Sequence, residues 1–216
     1  MKTTENEKMK VAIILEAAGD ARRFGRNKLL EPLGNGRLMI SNILEAVRSV
    51  EKTYISPTGI SSDTVVCSFS KILVTQYDDV ADLAPDFTIV KNDHPEIGIS
   101  HSMQLGIAAA EDVDAYMFCV CDQPFITADT ITSLTDAYLE ASSSGKRVIV
   151  SLSWQGRMYN PKIFSSDYRD ELMALSGDTG GRQIISSHLD ELLLVEAGSE
   201  KEIRDIDTPE EVPAHL

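Results

Sequence analysis

The feature that most limits the fold is a series of short, continuous apolar runs separated by helical patterns. VAIIL, Val11 to Leu15, is β-branched and has no polar interruption, the pattern of a strand buried on both faces. Similar runs stand at Ile72 to Tyr77, Phe87 to Val90, Ala115 to Val120 and Val148 to Leu152, with a weaker one at Leu192 to Val195. Between them, Ile40 to Ser49, Ser102 to Ala110, Thr130 to Ser142, Tyr168 to Leu175 and Thr179 to His188 carry helical spacing. This alternation predicts βαβ units: an α/β chain in three layers, its sheet mostly parallel and its helices on both faces. Residues 52–70 fit neither pattern and read as a loop leading into a strand or as an extra hairpin.

A length of 216 residues suits one large domain, expected over residues 9–216 behind a flexible, charged start at residues 1–8. No apolar run is long enough to cross a bilayer, and the start lacks the apolar core of a secretory signal. A cytoplasmic protein with no membrane partner is therefore expected. The net charge of −14, from 34 acidic and 20 basic side chains, argues against a broad nucleic-acid surface. It also makes one exception informative: Arg22, Arg23, Arg26 and Lys28 crowd into seven residues, a candidate site for a compact anion. The three cysteines, Cys67, Cys119 and Cys121, lack a partner pair at zinc spacing and read as reduced core residues.

In an open α/β sheet, ligands bind beyond the carboxyl ends of the strands, so the loops after Leu15, Val90, Val120, Leu152 and Val195 are the ones to read. The first is EAAGDARRFGRNK, Glu16 to Lys28. Ala17, Ala18 and Gly19 are small enough to let a ligand approach the backbone. Arg23 offers a bidentate fork and Lys28 a compact charge for phosphate oxygens. Glycine spacing excludes both a dinucleotide fingerprint and a Walker A loop, and composition alone also fits a solvated basic loop. Asp122, at the end of the Ala115 run, is either a turn former before Gln123-Pro124 or a hard oxygen ligand for Mg²⁺. Gly98 and Ser102 precede a helix whose N-terminus could read a base or sugar, and Ser100 or Ser102 could equally be its cap. Asp205 and Asp207 fall on one side of an extended stretch. Thr208-Pro209 with Glu211 reads as a capping box. Gly180-Gly181 before Arg182 is an ordinary helix end or an anion contact.

A-A-G-x-x-x-R-x-G-x-x-K directly after a first strand resembles the signature of GT-A-like, Rossmann-like nucleotidyltransferases. Within that group it is most similar to the molybdenum cofactor cytidylyltransferases and MobA-like NTP transferases. The resemblance runs from about Val11 to Glu211. It continues through LLEPLGNGRLM after the lysine, EIGISHSMQLGI at Glu96 to Ile107, and CDQP at Cys121 to Pro124. Asn160-Pro161 with Phe164, GDTGGR at Gly177 to Arg182, and DIDTPEE at Asp205 to Glu211 complete it.

This resemblance implies nucleotidyl transfer with Mg²⁺, or Mn²⁺, as cofactor. A terminal phosphate of the acceptor attacks the α-phosphorus of a triphosphate and pyrophosphate leaves. Lys28, Arg23 and Asp122 would be catalytic. Ala17, Ala18, Gly19, Arg23, Lys28, Gly98, Ser102 and Arg182 would bind the substrates. Asp122 would hold the metal with Asp205 as the preferred second ligand and Asp207 close behind. It implies molybdopterin, or its molybdenum-loaded form, as acceptor, a molybdenum hydroxylase as client, and CTP as donor, because the loop reads A-A-G where guanylyl-transferring relatives carry G-G. One methyl gives only about 1–3 kcal/mol of discrimination, so guanylyl transfer stays open. So do transfer to another phosphorylated acceptor and a non-catalytic accessory that binds molybdopterin. Glu16 and Ala21 depart from the family pattern, which has an apolar residue and commonly a serine there.

Overall fold

A computed structural model of the chain describes residues 8–19, 24–50, 53–56 and 65–212. The residues of VAIIL are fully buried, as a central strand requires, and belong to β1, Lys8–Ala17. Around it lie β2 (Thr53–Ser56), β3 (Val65–Thr75), β4 (Thr88–Lys91), β5 (Ala115–Val120), β6 (Ile149–Trp154), β7 (Arg157–Ser165) and β8 (Leu192–Glu196). The strand order is β2-β3-β1-β5-β7-β6-β8, with β4 also paired to β3. β2 and β4 share one edge of β3, β2 along Val65 to Ser68 and β4 along Ile72 to Thr75. All described strands run the same way except β2 and β7. The sheet is mostly parallel, as expected, and residues 52–70 do contribute an antiparallel pair, although residues 57–64 lie outside the described residues.

Among the described residues six α-helices cover the sheet: α1 (Met39–Ser49), α2 (Asp78–Ala81), α3 (Ile99–Ala109), α4 (Ala128–Ser142), α5 (Arg169–Met173) and α6 (Arg182–Ser187). Strand alternation sorts the apolar side chains into two layers. Val11, Ile13 and Leu15 pack with Ile40, Ile43, Leu44 and Val47 of α1, and with Ile131, Leu134 and Leu139 of α4. Ala12, Ile14 and Phe118 pack on the opposite face with Met103 and Ile107 of α3, Leu172 of α5, and Ile184 and Ile185 of α6. Both layers are dense. A Cβ on Gly106 of α3 would stand 2.4 Å from Ile14 Cγ2, so a glycine is what lets α3 sit directly on β1.

Three boundaries differ from the pattern reading. α3 begins at Ile99 rather than Ser102, because Gly98 at φ 110° turns the chain into the helix. The expected helix at 168–175 is a 3-10 turn, Ser166–Tyr168, followed by the short α5, and α6 starts only at Arg182. β7 was not expected at all: Tyr159-Asn160-Pro161-Lys162 interrupts its apolar residues. It pairs antiparallel with both β5 and β6. Of the expected flexible start, residues 1–7 lie outside the described residues and Lys8 opens β1. No described helix is long and apolar enough to cross a membrane.

Candidate active site

At the carboxyl ends of β1 and β5 the sheet opens into a cleft of about 590 Å³, a volume suited to a nucleotide. Glu16, Ala17, Ala18, Gly19, Lys28, Asp122 and Asp207 line it, with Gly98, Ser102 and Asp178 on the opposing wall. The A-A-G backbone is held in place from β3. Thr75 Oγ1 donates to the Ala17 carbonyl at 3.2 Å, Gln76 Nε2 to that of Ala18 at 2.9 Å, and Tyr77 Oη to that of Gly19 at 3.2 Å. These three residues had no motif to mark them. They were hidden at the end of an apolar run. Arg23, expected to bind phosphate, and Arg22 lie outside the described residues. Arg26, from the same basic cluster, is exposed and donates to Glu31 through Nε and Nη2.

Lys28 opens a 3-10 turn, Lys28–Leu30. The side chain of Asn27 caps this turn by accepting from Leu29 N at 3.1 Å, and Leu29 anchors it in the core. The lysine is thus aimed inward, and Nζ donates to Asp122 Oδ2 at 2.9 Å and to Asp207 Oδ1 at 2.8 Å. Burial favours its neutral amine, but the two carboxylates overcome that and hold its pKa above the ordinary lysine value. Residues 94 and 179 positions away in sequence therefore meet at one ammonium group.

The two acidic segments are locked together by backbone. Ile206 N donates to the Asp122 carbonyl at 3.0 Å, and the buried Ile206 side chain fixes Asp205 and Asp207 on either side of it. The expected capping box is present at Thr208–Glu211, and Glu211 Oε2 also accepts from Asp207 N at 2.6 Å. Asp207, placed second from sequence, is the carboxylate that reaches Lys28 and lines the cleft. Asp205 lies beside it. Burial, and then the Asp122 charge, raise its pKa, while a hydrogen bond from Gln123 opposes the shift.

Among the described residues no group of three or more His, Cys, Asp or Glu side chains is arranged to hold a metal ion. Two carboxylates suffice for Mg²⁺ or Mn²⁺ when phosphate oxygens and water complete the shell. Asp122 meets that need: its Oδ1 is cut off from solvent and has no hydrogen-bond partner, an oxygen left uncommitted in the cleft wall.

On the opposite wall, Gly98 has a steric role. A Cβ there would stand 2.4 Å from the Gly177 carbonyl carbon, and Ser100 N donates to Gly177 O at 3.2 Å. The Gly98 loop and the GDTGGR segment are thus packed backbone to backbone. Ser102 is not the helix cap, which is Gly98; its Oγ accepts from the buried Asn92 Nδ2 at 3.0 Å. Arg182 is exposed at the start of α6, and Gly181 fits beneath it because a Cβ would meet Phe164 Cζ at 2.5 Å. Glu16 Oε1 is buried without a partner, and burial pushes its carboxyl up to about 8, with Lys162 opposing and Asp122 adding to the shift. The three thiols are buried, and desolvation raises each pKa, so they belong to the core.

Known proteins share this fold. Residues 12–192 match the family model described as the MobA-like NTP transferase domain. The purine catabolism protein PucB of Bacillus subtilis is 28% identical over 206 residues, covering 90% of each chain. Mth528, a nucleotidyl transferase from Methanothermobacter, is 22% identical, covers 92% of both chains and superposes with a TM-score of 0.67. Rv0371c of Mycobacterium tuberculosis H37Rv, solved in complex with manganese, is 17% identical, covers 88% of this chain and 89% of its own, and gives a TM-score of 0.62.

Proposed function

The chain belongs to the MobA-like NTP transferase family, and from that premise we propose that it moves CMP from CTP onto the terminal phosphate of molybdopterin, releasing pyrophosphate. The observation that carries this reading is Lys28 Nζ held between Asp122 and Asp207 inside a nucleotide-sized cleft. A phosphate nucleophile is already ionised near neutral pH, so the reaction needs no strong general base. Its difficulty is bringing one anion onto another in line, which calls for fixed positive charge and rigid positioning. Lys28 supplies the charge, kept protonated by its two carboxylates. The small Ala17-Ala18-Gly19 backbone, tethered to β3 and the residues after it, lets the triphosphate come close, and the sequence motif offers Arg23, outside the described residues, as a further phosphate ligand. Asp122 and Asp207, with Asp205 adjacent, are the residues that would hold Mg²⁺ or Mn²⁺, whose charge neutralises phosphate oxygens. The manganese complex of Rv0371c, a protein of the same fold, supports a divalent ion here.

CTP is favoured by Ala18, a cleft-lining residue whose methyl would leave a larger purine less room than a glycine does. Molybdopterin is favoured by the family segments along the chain. The family resemblance brings a molybdenum hydroxylase as the client, and the relative named for purine catabolism supports purine breakdown as its setting. Mass-spectrometric product analysis after incubation with molybdopterin, Mg²⁺ and all four triphosphates tests the proposal. A CMP adduct with pyrophosphate is expected. A GMP adduct would reassign the donor. Nucleotide binding without any pyrophosphate would make the protein a carrier rather than an enzyme.

A further inference from the structure

Among the described residues that line the cleft, Lys28 is the one cation. Lys28 reaches Asp122 from the α1 face, since its neighbour Leu29 packs in the layer between the sheet and α1. On the opposite face a second lysine stands in β7. Lys162 is in register with Phe118 of β5, and Phe118 and Phe164 both belong to the layer under α3, α5 and α6. Glu16 rises from the same face, two residues beyond Ile14, and is in register with Val120. Strand alternation thus puts Glu16 and Lys162 on one face, flanking β5 and offset by two residues along it, with Glu16 two residues and Lys162 four residues below the level of Asp122.

In-line displacement needs the attacking and leaving phosphates on opposite sides of the reacting phosphorus. Resting on the transfer reaction above, we propose that Lys162, with Arg182 beside it, holds the attacking phosphate of the acceptor, a phosphomonoester, across Asp122 from the Lys28 side. Lys162 Nζ hydrogen-bonds the Asn160 amide oxygen at 2.5 Å and, among the described residues, forms no ion pair with a carboxylate. An ammonium has three donors, so two remain for a ligand. Burial, with the neighbouring Arg182 charge, lowers the Lys162 pKa to about 8, while Glu16 and Asp205 oppose the shift. Gly181 packs on Phe164, two residues along the same face from Lys162, and so brings the start of α6 with Arg182 toward that lysine; two neighbouring cations in a protein of net charge −14 gain by taking an anion. The loop after β1 binds the donor, and β7 with the Arg182 turn binds the acceptor.

The test is calorimetric titration of inorganic phosphate into the full chain already holding Mg²⁺ and a non-hydrolysable CTP analogue. Wild type is expected to bind phosphate. Lys162→Met should weaken it at least about tenfold, Lys162→Arg should retain it, and neither should shift affinity for the CTP analogue. Arg182→Gln, at an exposed position where folding is not at issue, should also weaken phosphate binding by a few-fold or more. Absence of phosphate binding by wild type, or unchanged affinity in Arg182→Gln or in folded Lys162→Met, overturns the proposal. Pyrophosphate release with molybdopterin is measured separately. A wild type that catalyses transfer but shows no phosphate subsite loses only the Lys162 assignment. A wild type that binds phosphate through Lys162 but releases no pyrophosphate loses only the proposed reaction.

Discussion

Glu16, next to last in β1, carries a carboxyl that burial has pushed up to about 8, against 4.5 for an unburied glutamate. The folded state therefore holds this proton more tightly than the unfolded chain. Below pH 4.5 both states are protonated and Glu16 costs nothing. Between pH 4.5 and 8 the unfolded chain releases the proton first, so stability falls as the pH rises, and above 8 the penalty is constant. Glu16→Gln should raise the thermal midpoint at pH 8 and leave it unchanged at pH 4; equal shifts at both pH values would count against burial as the cause. The two late aspartates are also separable. Asp207 bonds Lys28 and lines the cleft, so Asp207→Asn should cost pyrophosphate release about tenfold more than Asp205→Asn, measured as kcat at saturating CTP. Lys28 and Asp122 could be picked out from sequence because each follows a buried run in a recognisable motif. Which of Asp205 and Asp207 reaches Lys28 could not, since it depends on which way Ile206 turns into the core. Lys162 could not either, because a single lysine in an interrupted run carries no periodic signal.

Elements were readable where their apolar pattern was continuous and obscure where a neighbour supplied the burial. β1, β5 and α4 follow from their own residues. β7 does not: its polar centre is sheltered only once β5 and β6 flank it. α5 and α6 are shorter than their periodicity suggests, because glycines at 180 and 181 delay α6 and a 3-10 turn precedes α5. Glycines at contacts between elements had a meaning that sequence left open. Gly98 was read as a candidate nucleotide contact, and the fold adds a steric demand at the Gly177 carbonyl. Gly98→Ala, with a Cβ in a left-handed backbone and 2.4 Å from that carbonyl carbon, should destabilise by about 1–3 kcal/mol in denaturant unfolding. Because the same contact shapes the cleft wall, its KM for CTP should also rise. Gly181→Ala, which would push α6 off Phe164, should destabilise by a similar ~1–3 kcal/mol. Unchanged stability in either variant would mean that these backbones separate freely.

At the scale of the whole molecule, a parallel sheet brings the ends of β1 and β5 together, and the chain returns to them with its Asp205–Asp207 segment. That topology makes three distant residues one site within a strongly acidic protein. The α/β class and the location of the cleft were legible from strand and helix alternation. The antiparallel insertion of β7 was not, and with it the second cation stayed hidden. The central claim is that Lys28, Asp122 and Asp207 act on one triphosphate. The most direct test is the rate of pyrophosphate release by Lys28→Met against wild type, at saturating CTP, Mg²⁺ and molybdopterin. Loss of one fixed charge at the developing phosphate charge should lower kcat by about 10²–10³-fold while the folded structure persists by circular dichroism. A folded Lys28→Met that releases pyrophosphate at the wild-type rate would contradict the account.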